Sequence, residues 1–506
     1  MSLLETRRLS VKKEQLLQQL REHQALQNAY HLALSTMYYD AYTIAPKDGA
    51  AYRNQLTALL YREAFKLSQD STYIELVEQL NTFENDNPLQ REIDLILRQH
   101  EKNKHVPPEL MQKYSQLTNE ANNVWEKARA EDDYAAFEPY LKNLLKTSAE
   151  IYQQRENITD LYNACLDDYE PGLTQATFDN FAIVIEEKLV PFIQQINALN
   201  LERPAFLDRF VSVEKQKKVM ELIKEFLDFK DDYSHVSVSA HPFSSTFSIN
   251  DTRITTAFYE NHWTDAIFSL IHEIGHSTYS HQVNPAYEGR NLATNMSMGM
   301  HESQSRLLEN NIGRSKAFWT TLFPKLKELV PEALHDVELD EFIYGINFPQ
   351  PSLIRTQADE LTYPLHILIR YRLEQQMVND QLTDNLNEQW KAAYENLLGI
   401  RPDTDRQGIL QDTHWSGGSF GYFPTYALGS AISCQLMATL EKNLNVEKEL
   451  TEGNFKAIKT WLRENVHHYG ALYDTKEWLL KITKEDFNPH YYIDYLIEKY
   501  TTLYFN

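Results

Sequence analysis

The spacing of apolar residues is the feature that most constrains the fold of this chain. Over most of its 506 residues they recur every three or four positions, as Leu222, Ile223 and Phe226 do. This spacing places them on one face of a helix, and such a face must pack against other elements. Of the 15 glycines, a third lie between Gly408 and Gly429, so long helices with few tight turns are expected.

One segment departs from the helical spacing. Residues 235–256 read HVSVSAHPFSSTFSINDTRITT, in which Val236 and Val238 alternate with other residues. Alternation and β-branched residues are typical of strands, and Asn250-Asp251 signals a turn. A small hairpin or meander is therefore predicted inside a mainly α protein. No repeat or flexible linker divides the sequence, so a single domain over residues 1–506 is expected.

Charge and cysteine content restrict the function classes and the compartment. The formal net charge is -23, from 49 basic and 72 acidic residues, which disfavours nucleic acid as a partner because phosphate binding needs clustered lysine and arginine. Two cysteines are too few for a disulfide framework, which suits a reducing compartment. The first residues resemble no signal peptide, and no apolar run is long enough for a membrane span. A cytoplasmic protein without a membrane partner is expected.

The segment 269–281, SLIHEIGHSTYSH, contains the pattern His-Glu-x-x-His. His272 and His276 lie one helical turn apart, so both imidazoles can reach one metal ion, and zinc accepts such ligands. Glu273 points to the adjoining side, where it can act as general base toward a metal-bound water. At about 100° per residue, these three residues lie opposite Ile267 and Ile271. A chance occurrence of the His-Glu-x-x-His pattern would have no reason to place its residues opposite an apolar helix face.

A third metal ligand is needed, because catalytic zinc sites have three protein ligands and keep the fourth position for water. Glu302 follows His276 by 26 residues, enough for a loop and a second helix that returns to the first. Arg306 is placed at i+4 from Glu302 and is expected to steady that carboxylate. His301 faces elsewhere on the helix, as a structural or substrate-side group.

The chain resembles the carboxypeptidase Taq family of metallocarboxypeptidases. The resemblance rests on motifs between about residues 235 and 430, in the order that the family has them. They are His241-Pro242-Phe243, Asp251-x-Arg253-x-Thr255-Thr256, His272-Glu273-Ile274-Gly275-His276, His301-Glu302-Ser303-Gln304, Ile354-Arg355-x-x-Ala358-Asp359 and Gly408-x-x-Gln411-Asp412-x-His414-Trp415.

The resemblance implies a mostly helical, saddle-like body with a deep groove, related to neurolysin and angiotensin-converting enzyme. It also implies the release of single residues with broad specificity from peptide C-termini, zinc or cobalt as the metal, and a homodimer. The N-terminal helices, within residues 1–110, are a possible lid over the groove.

Two arginines are candidates for binding the free carboxylate of a peptide substrate, because the guanidinium fork offers two parallel donors. Arg355, in the Ile-Arg motif, is the first choice and Arg253 the second. The competing interpretation for each is a structural ion pair, and for Arg355 the partner would be Asp359 at i+4.

The segment 411–426, QDTHWSGGSFGYFPTY, combines glycines with aromatic and polar side chains. His414, Tyr422 and Tyr426 are candidate hydrogen-bond donors to the oxyanion of a tetrahedral intermediate. The alternative for His414 is a structural pair with Asp412. Upstream, an exposed strand edge could pair with an extended peptide, with His241 shaping the pocket; the other reading is a purely structural sheet.

Two further functions compete with the carboxypeptidase. One is a metallo-oligopeptidase, an endopeptidase that would also cleave peptides with a blocked C-terminus. The other is a non-catalytic peptide-binding protein, which predicts a broken metal motif. The intact His272, Glu273, His276 and Glu302 speak against that second alternative.

Overall fold

The N-terminal part of the chain is helical. The computed structural model describes residues 3–294, 296–380 and 384–505. Helices often begin at a side chain that accepts a backbone N–H; Asp70, for example, accepts from Tyr73 N at 3.0 Å. The helices before the sheet are α1 (Leu3–Thr43), α2 (Ala50–Ser68), α3 (Ser71–Asn81), α4 (Asn87–Asn103), α5 (Pro108–Glu131), α6 (Tyr134–Tyr152), α7 (Leu161–Tyr169), α8 (Gln175–Val184), α9 (Val190–Asn197) and α10 (Val213–Phe226).

The rest of the chain is also mostly helical, which confirms the predicted mainly α class. A π turn, Leu307–Ile312, extends α12. The later helices are α11 (Trp263–His281), α12 (Met298–Arg306), α13 (Lys316–Leu329), α14 (Pro331–Leu334), α15 (Leu339–Ile346), α16 (Tyr363–Asp380), α17 (Leu386–Leu398), α18 (Pro424–Asn443), α19 (Val446–Thr451), α20 (Phe455–Asn465), α21 (Thr475–Thr483) and α22 (His490–Tyr504).

A three-stranded sheet precedes α11, as predicted. Its strands are β1 (Ser234–Val238), β2 (Ser244–Ser248) and β3 (Asp251–Thr256), in the order β1-β3-β2. The predicted hairpin is confirmed for β2 and β3, which pair antiparallel. The meander is wrong, because β1 pairs with β3 in parallel. Residues 239–243 carry the chain from β1, on one side of β3, to β2 on the other side.

Helices α11, α12 and α18 pack with almost no space between their backbones. A Cβ atom added at Gly275 of α11 would lie 2.6 Å from Ser305 Cα of α12. One added at Gly429 of α18 would lie 2.6 Å from Glu302 Cβ. Only glycine permits approaches this close. Helix α12, which carries Glu302, is therefore packed closely against both α11 and α18.

The N-terminal helices have a small apolar core of their own, separate from the main one. It is formed by Leu16, Leu20, Tyr73, Ile74, Leu76, Val77, Leu80, Leu89, Ile93 and Ile96. Buried Glu92 links this part to the main body, because it accepts hydrogen bonds from Arg21 and from Arg290, the latter at 2.8 Å. The lid function and the saddle-like outline stay predictions.

Both Cys165 and Cys434 are buried free thiols. Across the described ranges, no helix has both the length and the apolar character needed to cross a bilayer.

Candidate metal centre and substrate site

Three side chains from two helices converge on one point. His272 and His276 come from α11 and Glu302 from α12, and their ligand atoms all lie within 4.8 Å of one another. Glu302 Oε2 is 3.6 Å from His272 Nε2 and 3.5 Å from His276 Nε2. Two donors bound to zinc at tetrahedral angles, with bonds of about 2.0–2.1 Å, lie about 3.4 Å apart. The donor set therefore fits a tetrahedral metal with one open position.

The far side of each imidazole is also held. His272 Nδ1 lies 2.9 Å from Glu309 Oε2, and His276 Nδ1 lies 2.9 Å from His301 Nδ1. A histidine that binds metal through Nε2 must carry its proton on Nδ1, where it needs an acceptor. Both acceptors are present, so the two Nε2 atoms are directed toward Glu302. His301 thus has the structural role that was one of its two predicted alternatives.

Sequence reasoning missed Glu309. It lies in the π turn after α12, seven residues beyond Glu302, and it also accepts hydrogen bonds from Arg306 and Arg314 at 3.2 and 3.1 Å. Seven residues correspond to two helical turns, so the spacing from Glu302 was a usable signal. A plain α-helical count could not show that the carboxylate reaches His272, because the π turn alters the phase.

Electrostatics favour an ionised Glu302. Burial alone would raise the pKa of Glu302, but the Arg306 guanidinium and the two imidazoles hold that pKa well below its ordinary value. As predicted, Arg306 contacts this carboxylate, with Nε 2.6 Å from Glu302 Oε1. Burial lowers the pKa of His272, yet Glu302 and Glu309 raise it above the ordinary value. The pocket is built to hold positive charge between the imidazoles and the carboxylates.

Glu273 is buried on α11 beside the sheet. The hydroxyl of Ser244, the first residue of β2, donates a short hydrogen bond to Glu273 Oε2. This bond leaves the other carboxylate oxygen, Oε1, available for a proton. The small sheet therefore has a defined relation to the site, because one of its strands fixes the residue predicted to be the base.

Arg355 is buried and contacts the glycine-rich segment, residues 411–426. Its Nε donates to Asp412 Oδ1 at 3.0 Å and its Nη1 to Tyr363 OH at 3.2 Å. The alternative ion pair with Asp359 is wrong, because that carboxylate instead caps the turn before α16, accepting from Thr362 N at 3.0 Å. Arg370 also binds Asp412, through Oδ2 at 2.6 Å. One carboxylate thus serves two arginines, which leaves guanidinium donors of Arg355 for another acceptor.

Arg253 is placed differently. It lies on β3, bonded to Asp251 Oδ2 at 2.8 Å and stacked 4.3 Å over the Phe247 ring. This is the structural ion pair of the competing interpretation. His241 is exposed in the connection before β2, and its carbonyl accepts from Ser239 Oγ at 2.7 Å.

His414, Tyr422 and Tyr426 form one cluster beside Arg355. His414 Nε2 lies 3.2 Å from Tyr426 OH, and the Arg355 guanidinium lies 5.0 Å over the Tyr426 ring. The alternative pair of His414 with Asp412 is wrong as a hydrogen bond, because His414 Nε2 faces Tyr426 OH and its Nδ1 has no hydrogen-bond partner among the described residues. Burial lowers the pKa of His414 to about 3, so its imidazole is neutral.

The same cluster borders the metal centre, because Tyr426 lies one helical turn before Gly429 on α18, where an added Cβ atom would lie 2.6 Å from Glu302 Cβ. Burial raises the pKa of Tyr422 and of Tyr426, and the charge of Glu302 contributes to both increases. These phenols therefore stay protonated and can donate hydrogen bonds at neutral pH. The structure brings the predicted donors, Arg355 and the metal ligands into one region, and leaves Arg253 on the sheet.

Comparison with known proteins gives a consistent picture. The sequence matches the model of the family described as carboxypeptidase Taq (M32) metallopeptidase over residues 18–500. It is 36% identical to carboxypeptidase 1 of Bacillus subtilis over 480 residues, 94% of this chain and 96% of that protein. It is 35% identical to thermostable carboxypeptidase 1 of Pyrococcus furiosus, over 92% of this chain and 95% of the relative.

Solved structures agree with the sequence matches. The M32 carboxypeptidase from Deinococcus radiodurans R1 superposes with a TM-score of 0.95 at 31% identity, covering 97% of this chain and 100% of that one. A structure of PZ peptidase A with an inhibitor has a TM-score of 0.57 at 13% identity, over 98% of this chain and 97% of the other. That second likeness concerns the fold alone.

Proposed function

This chain belongs to the carboxypeptidase Taq family of metallopeptidases and is a metallocarboxypeptidase, and we propose that it releases single residues, with broad specificity, from peptide C-termini. The observation that carries the proposal is the position of Arg355. This buried guanidinium has N–H groups that bind neither Asp412 nor Tyr363. It lies 5.0 Å over the ring of Tyr426, which is one helical turn before the contact of Gly429 with Glu302. A free carboxylate bound there places the last peptide bond toward the metal centre.

The proposed metal is zinc, with cobalt as an alternative, held by His272, His276 and Glu302. When bound, it supplies a Lewis acid that polarises the scissile carbonyl and lowers the pKa of water. The chain's own residues supply orientation for the ligands. Glu309 and His301 accept the Nδ1 protons of the imidazoles, and Arg306 neutralises part of the charge on Glu302.

Glu273 is the proposed general base. Its Oε1 takes a proton from the attacking water and then gives it to the leaving amine, while Ser244 holds Oε2 in place. His414, Tyr422 and Tyr426 are the proposed donors to the oxyanion of the tetrahedral intermediate. A neutral imidazole and two protonated phenols can all donate hydrogen bonds there.

Arg355 is the proposed carboxylate clamp, with Arg253 second. The substrate carboxylate would accept from the guanidinium N–H groups of Arg355 that bind neither Asp412 nor Tyr363. His241 remains a proposed pocket residue at the entrance to β2. The family resemblance also supports a cytoplasmic homodimer that acts on peptides, and these assignments are proposals of the same standing.

Mass analysis of peptide C-terminal ladders tests the function. The protein is incubated with a peptide of mixed sequence, with and without a chelator, beside the same peptide carrying a C-terminal amide. We expect stepwise loss of one residue at a time, abolished by the chelator and much slower on the amide. Equal cleavage of the amide would favour the oligopeptidase alternative, and internal cuts would overturn the carboxypeptidase proposal.

A further inference from the structure

A buried carboxylate on α16 accepts hydrogen bonds from two residues of the glycine-rich segment 411–426. Glu374 is 0% exposed. Its Oε1 accepts from Trp415 Nε1 at 2.7 Å, and its Oε2 accepts from the backbone N–H of Gly421 at 3.0 Å. A third donor, Tyr162 OH of α7, lies 2.9 Å from Oε2. Every donor points at a carboxylate that contacts neither the metal ligands nor Arg355.

We propose that Glu374 is a positioning residue, which fixes His414 and Tyr422 for the reaction by tethering the segment between them. Trp415 directly follows His414, and Gly421 directly precedes Tyr422. Each tether point is thus one peptide bond away from a candidate oxyanion donor. The inference rests on the proposed function, because Glu374 would position the oxyanion donors proposed for that same site.

The sequence of the segment does not by itself select one backbone conformation, so contacts such as those of Tyr114 with Gly418 and of Glu374 with Gly421 must hold it. Residues 416–419 read SGGS, and Gly418 and Gly421 have φ values of +73° and +88°. Glycine adopts these conformations at little cost, but it also has many others to lose. Two hydrogen bonds to one buried, helix-borne group remove that freedom at both ends of the turn. Oxyanion donors must be held in advance to be effective.

A carboxylate suits this place better than an amide. Three donors face the two oxygens of Glu374. Burial raises the pKa of Glu374 to about 7, so above that pH the group is ionised and its carboxylate can accept all three hydrogen bonds. Glutamine would direct its NH2 group either at the Trp415 Nε1–H or at the Gly421 N–H, leaving two N–H groups face to face in a buried site. The Tyr162 hydroxyl is no obstacle, because it can turn to accept. Such a conflict is costly because neither donor can reach water. The conflict with Trp415 disappears if that residue is replaced by phenylalanine.

A rescue experiment can test the predicted conflict between the glutamine NH2 group and Trp415. The four proteins are wild type, Glu374→Gln, Trp415→Phe and the double variant Glu374→Gln/Trp415→Phe. Phenylalanine keeps an aromatic ring against Trp390, whose ring centroid lies 5.6 Å from that of Trp415. For each protein, kcat, KM, zinc content and Tm are measured on the same peptide, and hydrogen exchange is followed over residues 415–422.

We expect kcat of Glu374→Gln to fall about 10- to 100-fold, less than the roughly 100- to 1,000-fold loss for an oxyanion donor that is removed, because here the donors are displaced but still present. KM should change less than about threefold, because Arg355 is untouched, and zinc content should be unchanged. Exchange over residues 415–422 should accelerate. In the double variant kcat should return to within about threefold of Trp415→Phe alone, since the conflict is gone.

Glu92→Gln is the matched control, because Glu92 is another fully buried carboxylate, located among the N-terminal helices. It should lower Tm without changing exchange over residues 415–422. Wild-type kcat in Glu374→Gln, or a double variant no better than Glu374→Gln, would overturn the positioning role. Hydrogen exchange does not depend on activity. Unchanged exchange over residues 415–422 in Glu374→Gln would contradict the proposed tether even if the variant were inactive, whereas faster exchange would support it.

Discussion

His272 Nδ1 lies 2.9 Å from Glu309 Oε2, so a carboxylate outside the three metal ligands orients the first of them. Loss of such a partner typically weakens metal binding 10- to 100-fold. We therefore expect Glu309→Ala to raise the zinc Kd by about that factor, measured by competition with a fluorescent chelator. Glu338→Gln is the control, because that side chain is 86% exposed and pairs with Lys327 rather than with a metal ligand. Equal zinc affinity in both variants would contradict the assignment.

Glu273→Gln separates metal binding from proton transfer. Glutamine keeps the size of the side chain and can still accept from Ser244, but it cannot take a proton from water. We expect zinc content to stay at the wild-type level while kcat falls at least about 100-fold. Metal analysis of the purified variant beside its turnover number provides the check. Activity close to wild type would remove Glu273 from the role of base.

Replacement of the two candidate arginines distinguishes their roles. Arg355→Gln removes the buried donor set, so kcat/KM on a peptide with a free C-terminus should fall about 100-fold or more. The amidated peptide should lose little, because it never made the carboxylate contact. Arg253→Gln is the comparison: its guanidinium pairs with Asp251 on the sheet, so its ratio of free to amidated kcat/KM should stay near wild type. The opposite pattern would move the clamp to Arg253.

How far the fold follows from sequence depends on the range of the interactions. Helices and the β2–β3 hairpin are local, so apolar spacing and the Asn250-Asp251 turn were enough to predict them. The pairing of β1 with β3 is not local. Residues 239–243 between β1 and β2 carry no periodic signal for a parallel pair, and the prediction of a meander was wrong for that reason.

The candidate site shows the same division. His272, His276 and Glu302 were found because their chemistry and helical spacing are visible in the sequence. The partners of Arg355 were not, since Asp412 lies 57 residues away and the nearer Asp359 caps a turn instead. Glu374 had no signal at all: it is one acid among many on a helix, and only the packing of α16 against the glycine-rich segment distinguishes it.

Glu170 predicts a pH-dependent contribution to stability. Burial raises the pKa of Glu170 to about 7, although Gly299 N donates to it at 2.8 Å. Between about pH 4.5 and 7 the folded chain holds a proton that the unfolded chain has lost, so this group's contribution to the free energy of unfolding falls as pH rises. Glu170→Gln removes that dependence. Its stability relative to wild type should therefore improve from pH 5 to pH 8, by on the order of 3 kcal/mol.

Urea titrations of both proteins at the two pH values measure this difference. Glu447→Gln, at an exposed position of α19, is the control and should show no pH-dependent gap. A constant difference between Glu170→Gln and wild type across that range would mean that the buried carboxyl does not change its protonation on folding.

Gly275 sets the distance between the helix that carries both histidines and the helix that carries Glu302. A methyl group there would lie 2.6 Å from Ser305 Cα and 2.7 Å from the Gln304 carbonyl oxygen, both backbone atoms that cannot rotate away. Gly275→Ala must therefore push α11 and α12 apart, at a cost of about 1–3 kcal/mol for an overpacked contact. Because the donor atoms must meet within a few tenths of an ångström, zinc affinity should fall more than about 10-fold.

Two measurements separate these effects. Tm with excess chelator reports the packing cost alone, and a zinc competition titration reports the geometry of the ligands, since bound metal itself stabilises the folded state. Gly49→Ala is the matched control, because among the described residues a methyl group at Gly49 would meet only Arg53 Nη1, at 3.8 Å. If Gly275→Ala lowered Tm but bound zinc as tightly as Gly49→Ala, the close helix contact would serve stability only, and the spacing of the ligands would have to be fixed from the Gly429 side.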